Sequence, residues 1–167
     1  MTDHLTVYDN EGGNRILDNE NVWSQSETIM NMVDRTEDGI PFPLGKDELN
    51  KVVEWMEKMA TFKTDGTSDE GKRVWINEYL GSMDSQDQLP LLFKTMTAAN
   101  YMGVRDLLDQ LCKFLANMIA QRTPNEILDY FNIKKITWEE EQELIGNFPW
   151  IDPGGLILKD RQKRLSR

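Results

Sequence analysis

Ala98-Ala99-Asn100-Tyr101-Met102, running into Leu107-Leu108-Asp109-Gln110-Leu111-Cys112-Lys113 and on to Ala116-Asn117-Met118-Ile119, is the stretch that decides the fold. Its apolar residues return at helical rather than alternating spacing, which predicts two helices joined by a short turn. One is expected over about Leu89–Ala99 and the next over Val104–Ile119. In the second, Leu107, Leu108, Leu111, Cys112, Leu115 and Ile119 form a continuous stripe. Together the two helices carry more apolar surface than one small domain needs. Within that stripe Cys112 reads as a small buried hydrophobe.

Upstream, Leu5-Thr6-Val7-Tyr8-Asp9 and Asn14-Arg15-Ile16-Leu17 flank Asn10-Glu11-Gly12-Gly13, a hairpin pattern in which glycine permits positive φ. No Gly-Lys-Ser/Thr follows, so the glycines are not read as a phosphate loop. Ser26 is placed to cap a helix over which Ile29, Met30 and Val33 share a face. Pro41-Phe42-Pro43-Leu44 suits a short edge strand or an extended connection. Leu49, Val52, Val53, Met56 and Met59 then define an amphipathic helix, with Glu54, Glu57 and Lys58 outward. Lys63–Arg73 contains no apolar residue and reads as a surface loop. A further helix is expected over about Val74–Leu80.

Downstream, Thr123-Pro124 followed by Glu126 is a helix start. Thr137-Trp138-Glu139-Glu140 is a second capping box, opening a last helix through Leu144 and Ile145 that Gly146 and Pro149 end. The whole suggests an α+β domain with a two-helix C-terminal extension.

Composition bounds the function. The chain has 167 residues, of which 39% are apolar and 29% charged, values that suit one soluble domain with an appendage. No run of about 18 apolar residues suggests a membrane span, and Met1-Thr2-Asp3-His4 does not open like a secretory signal. A single cysteine permits no intrachain disulfide and fits the cytoplasm or nucleus. The net charge is −10. Residues 152–167 hold Lys159, Arg161, Lys163, Arg164 and Arg167 against Asp152 and Asp160, a balance of +3, so the remainder carries −13. An acidic body repels phosphate backbones, and no nucleic-acid partner is expected. The basic end reads as a solvated, disordered tail, with nuclear import or an electrostatic contact as its functional alternatives.

Catalysis lacks its parts. The one histidine, His4, stands at the N-terminus, far in sequence from Cys112, so a hydrolytic triad or dyad has no base. One Cys and one His cannot build a zinc site, and no cofactor is expected. Glu139-Glu140-Glu141 is read as favourable charge at the positive end of a helix dipole.

Contact surfaces are better represented. Five tryptophans and nine methionines are the residue types that contribute area and adaptable packing at interfaces. Ile127, Phe131, Ile133, Ile136, Leu144, Ile145, Phe148 and Trp150 put much apolar surface on short helices, which are marginal without packing partners. They either fold back on the domain or grip a partner helix.

Three blocks resemble the Skp family of BTB/POZ-type adaptors. Gln25-Ser26-Glu27-Thr28-Ile29 with Phe42-Pro43-Leu44 is similar to its N-terminal region, and Val74-Trp75-Ile76-Asn77-Glu78-Tyr79 to its Trp-Asp-x-Glu-Phe/Tyr motif. The block opening at Ala98 continues through Arg122-Thr123-Pro124-Asn125-Glu126-Ile127 to Phe131-Asn132-Ile133-Lys134 and resembles the family's Ala-Ala-Asn-Tyr-Leu and Thr-Pro-Glu-Glu-Ile…Phe-Asn-Ile pattern. The resemblance covers about residues 5–150. It implies a BTB/POZ fold over residues 1–121 and an F-box-binding extension over 122–151, which leaves residues 152–167 as the basic tail. It also implies an adaptor of SCF ubiquitin ligases that joins a cullin to F-box proteins, able to form a homodimer without them. The implied cullin-facing residues are Asn100 and Tyr101, with Phe93 and Leu115 nearby. Those implied to face the F-box are Ile127, Phe131, Asn132, Ile133, Leu144 and Trp150. The other reading of Asn100 and Tyr101 is local: a turn cap and an intramolecular ring contact.

The chain departs from the family pattern in several places. The long acidic insertion is reduced to Lys63–Arg73, and Ile76 replaces Asp. Lys135-Ile136 replaces Asn-Asp-Phe, Trp138 replaces an acidic residue or proline, and the basic tail is additional. These make it a divergent paralogue. The runner-up is a BTB/POZ scaffold that is elongin-C-like or self-associating and does not act through F-box proteins.

Overall fold

The computed structural model describes residues 4–35, 39–155, 157 and 159. The chain divides into two compact units, Met1–Thr123 and Pro124–Arg167.

The first unit opens with the expected hairpin, β1 (Leu5–Tyr8) and β2 (Asn14–Leu17), paired antiparallel with Leu5 opposite Leu17. Gly12 takes φ +86°, and the Asp9 carboxylate accepts the N–H groups of Glu11 and Gly13, closing the turn. β3 (Ile40–Pro41) adds in parallel to β1 at the sheet edge, where the missing N–H of proline costs no ladder bond. Between β2 and β3 lie α1 (Glu20–Trp23), α2 (Glu27–Met32) and a 3₁₀ turn, Val33–Arg35. Ser26 caps α2 as its position predicts, accepting the Ile29 N–H at 3.1 Å. Ile29 is buried but Met30 is not; one residue further round a helix turns it to solvent, so the two do not share the inner face.

α3 (Lys46–Thr64) buries Leu49, Val52, Val53 and Met56 as expected, and Trp55 with them. The expected loop over Lys63–Arg73 is a correction. α3 runs to Thr64 and α4 (Asp69–Gly81) begins well before Val74, leaving only residues 65–68 between them. The signal is Ser68, whose side chain accepts the Gly71 N–H, followed by Asp69 and Glu70 in the first turn. A first turn facing water needs no apolar residue, so the hydrophobic pattern does not register it. Trp55, Phe62, Trp75 and Tyr79 form an aromatic cluster with centroids 5.1–5.9 Å apart where α3 meets α4. Burial, with the Glu54 charge, pushes the Tyr79 hydroxyl well above its ordinary pKa, and it donates to the Lys51 carbonyl.

α5 (Leu89–Met102) and α6 (Arg105–Ala120) are the two predicted helices. Leu92, Ala98, Ala99 and Met102 on the first, and Leu107 and Leu111 on the second, have no exposed surface. α5 packs between α3 and α6.

The second unit holds α7 (Pro124–Tyr130), which starts at the predicted proline, then α8 (Trp138–Asn147) and a 3₁₀ turn, Pro149–Ile151. The Thr137 capping box is present with both its bonds. Gly155 takes φ +62°, and Asp152 accepts the Ile157 N–H. Most of the expected basic tail, residues 156, 158 and 160–167, lies outside the described residues.

Candidate protein-binding surfaces

The turn between α5 and α6 is built by glycine. Gly103, at φ +67°, donates to the Asn100 carbonyl at 3.1 Å, and Val104 donates to the Ala99 carbonyl at 2.9 Å. This paired bonding satisfies the last carbonyls of α5. A Cβ at Gly103 would lie 2.9 Å from the Glu27 Cβ, so only glycine lets α2 approach. The start of α2 then ties down the end of α5. The Ser26 hydroxyl donates to the Met102 carbonyl and the Thr28 hydroxyl to the Tyr101 carbonyl, while Glu27 pairs with Arg105.

With its backbone held this way, α5 turns Phe93, Thr97, Asn100 and Tyr101 to solvent along one face. Phe93 is 43% and Tyr101 49% exposed, large values for aromatic side chains. Tyr101 also meets Phe42 edge-on, centroids 6.1 Å apart. The local reading is therefore half right: the ring is braced, yet half of it remains uncovered. Of the four residues expected to act together on this side, Phe93, Asn100 and Tyr101 share the α5 face. Leu115 is half-buried on α6.

The α6 stripe splits. Leu107, Leu111 and Met118 face the core, whereas Leu108 and Leu115 are half-buried and Ile119 and Cys112 exposed. Cys112 as a buried hydrophobe is thus corrected. It stands about 140° round the helix from Leu107, beyond the arc that packing covers. The broad apolar pattern marked two adjacent faces rather than one core face.

In the second unit none of the helical residues is buried. Ile127 and Phe131 are half-buried on α7, and the Phe131 ring meets Tyr130 edge-on at 5.4 Å. Asn132 holds φ +51°, and the N–H of Ile133 reaches the Leu128 carbonyl at 2.8 Å, so Asn132 ends α7 in a left-handed cap that asparagine tolerates. Ile133 is 51%, Leu144 40% and Trp150 76% exposed. The residues named for this region lie in one unit, but Asn132 is placed by its backbone and the others by their apolar side chains. Ile136, Phe148 and Ile151 are comparably exposed and belong with them. Ile136 and Phe148 stood among the apolar residues read from the sequence, whereas Ile151 had no signal there. Ion pairs of Lys135 with Asp129 (2.8 Å) and Lys134 with Glu140 (3.1 Å) hold the segment between the helices. The Thr137 N–H, then Lys134, keep the Glu140 carboxyl below the usual range.

Both surfaces are suited to receiving apolar side chains. Among the described residues, no group of three His, Cys, Asp or Glu stands together to hold a metal ion. No helix there is long and apolar enough to cross a membrane.

Residues 105–151 match the model of the Skp1 family, dimerisation domain. The chain is 32% identical to SKP1-like protein 11 of Arabidopsis thaliana over 148 residues, spanning 87% of this chain and 94% of that protein. It is 34% identical to the S-phase kinase-associated protein 1 homolog of Tetrahymena thermophila, over 83% of this chain and 89% of the relative. It is 35% identical to the SCF ubiquitin ligase complex protein SKP1a of Dictyostelium discoideum, over 78% and 85% respectively.

Proposed function

Because the chain belongs to the Skp1 family, we propose that it is the adaptor subunit of an SCF-type ubiquitin ligase, joining a cullin N-terminal domain to an F-box substrate receptor. The observation that carries this reading is the presence of incompletely covered apolar surface on each of the two units. A protein with one partner needs one such face. The name of the Dictyostelium relative as an SCF complex protein supports it.

Phe93, Asn100, Tyr101 and Leu115 meet the cullin. Tyr101 contributes area and a hydroxyl while losing little entropy, because Phe42 and the α2 bonds already restrain it. Ile127, Phe131, Asn132, Ile133, Leu144 and Trp150 meet the F-box helices, which bury their apolar side chains among α7, α8 and the turn beyond. The adaptor forms and breaks no bond; it fixes how far, and at what angle, the substrate stands from the catalytic subunits. In this reading residues 1–121 are the BTB/POZ domain and 122–151 the receptor-binding extension, and the protein works in the cytoplasm or nucleus.

Light scattering of the chain mixed with one F-box domain and one cullin N-terminal domain tests the bridge. The expected mass is that of one copy of each. Tyr101→Ala lowers cullin affinity by about 2 kcal/mol, roughly thirtyfold, and leaves the F-box complex intact. A chain that stays apart from the F-box domain, or only pairs with itself, sinks the adaptor reading in favour of an elongin-C-like or self-associating scaffold.

A further inference from the structure

Beside α8 lies a recess of about 450 Å³ lined by Lys134, Ile136, Glu140, Glu143, Leu144 and Asn147. Glu140, Glu143, Leu144 and Asn147 stand at helical spacing along one face of α8. Lys134 and Ile136, from the segment before the helix, supply the rest of the lining. The apolar part is open to solvent, with Ile136 50% and Leu144 40% exposed. It is continuous with the surface assigned above to the receptor, which includes Leu144 itself and Ile133, next to Lys134.

The charge of the recess is one-sided. Residues 124–151 hold six carboxylates against two lysines, a local balance of −4. Both lysines are engaged, Lys135 with Asp129 at 2.8 Å and Lys134 with Glu140 at 3.1 Å. The Thr137 N–H also holds Glu140 at the helix start. Glu143, by contrast, is exposed and forms no ion pair among the described residues. An apolar side chain seated against Ile136 and Leu144 brings its own surface over Glu143, stripping water from a carboxylate without replacing it. A lysine or arginine three or four residues away on the same helix lies on the same face as the apolar group. It reaches Glu143 as that group enters. A carboxylate at the same place adds repulsion.

We propose that this recess takes an apolar side chain of the F-box together with a lysine or arginine one helical turn away, and that Glu143 selects among receptors by pairing with that cation. The proposal deepens the adaptor reading and rests on it. Ile136 and Leu144 contribute area to any receptor, so they do not discriminate. Glu143 does, because it attracts a basic receptor, is left unpaired by a neutral one and repels an acidic one.

The test titrates the full chain, at low salt, with several F-box domains that differ in the charge of their helices. The unaltered chain binds the basic domains more tightly. Glu143→Lys weakens them about tenfold and inverts the order, and Glu143→Gln weakens them about threefold. Both effects fade at about 0.5 M salt. Glu143→Gln keeps the shape of the side chain, so its loss is not one of folding. In a tightly binding domain, changing one lysine or arginine to glutamate restores the affinity of the Glu143→Lys chain and places the paired cation. Gln142→Lys, exposed on α8 but outside the recess lining, shifts the net charge as far as Glu143→Gln does and leaves the order as it is. An order that Glu143→Lys does not invert, or that Gln142→Lys alters equally, overturns selection by Glu143 while the adaptor reading stands. A loss that no single charge reversal in the receptor restores overturns the pairing. If the unaltered chain binds none of the domains, the adaptor reading fails and this proposal with it.

Discussion

Val7, Leu17, Val52, Met56, Leu92, Leu107 and Leu111 in the first unit have no exposed surface, whereas in α7 and α8 of the second none of the residues is buried. Both regions are helical and both are rich in isoleucine, leucine and aromatic residues. What separates them is bulk: α5 is enclosed by α3 and α6, while α7 and α8 are short and stand in a unit of their own. The first unit therefore spends most of its apolar residues on its own stability, whereas the second leaves its own largely uncovered.

The largest expected effect tests that division directly. Leu111→Ala, at a fully buried position, lowers unfolding free energy by about 3 kcal/mol in urea denaturation. Phe148→Ala, 46% exposed, changes it by less than about 0.5 kcal/mol. Equal losses would mean that the second unit has a core of its own and that the contrast is wrong. Next comes binding. Trp150→Ala weakens the F-box complex by about 2 kcal/mol without moving the urea midpoint; a loss of stability in step with affinity would make Trp150 a packing residue.

A smaller gain is expected inside the first unit. The Thr95 hydroxyl is wholly buried and has no hydrogen-bond partner among the described residues, so Thr95→Val raises stability by up to about 1 kcal/mol. Destabilisation would reveal a partner for that hydroxyl. The smallest effect concerns pH. Because the Glu140 carboxyl is held below its ordinary 4.5, the start of α8 remains capped at and above that pH and uncaps as the pH falls through the lower folded value. Amide shifts of Thr137 and Glu140 report the transition, and a midpoint at or above 4.5 would remove the capping box as its cause.

Legibility in the sequence followed the physics of each element. The hairpin, the Ser26 cap, the Pro124 start and the Thr137 box were readable because turns and caps rest on a few residues with particular chemistry. The first turn of α4 was missed because a solvent-facing helix start looks like a charged loop. Cys112 was misread because a stripe shows which residues are apolar, and only packing shows how much of the arc is covered. Of the proposed site, Tyr101 and Trp150 were legible through resemblance. Ile151 was not, because an isoleucine beside a tryptophan has no pattern of its own. Neither the bracing of Tyr101 by Phe42 nor the left-handed role of Asn132 has a signature in spacing, since both depend on where the chain folds back.

One buried hydroxyl joins distant parts of the chain. Ser26, with no exposed surface, both accepts from Ile29 and donates to the carbonyl of Met102, 76 residues away. The turn that displays Tyr101 does not fray by itself, because opening it leaves the buried Ser26 hydroxyl without its acceptor. Its amides should exchange with solvent only when the first unit unfolds as a whole. In folding, the same bond delays completion of this surface until a long loop has closed, so a chain that presents Tyr101 correctly has already finished folding.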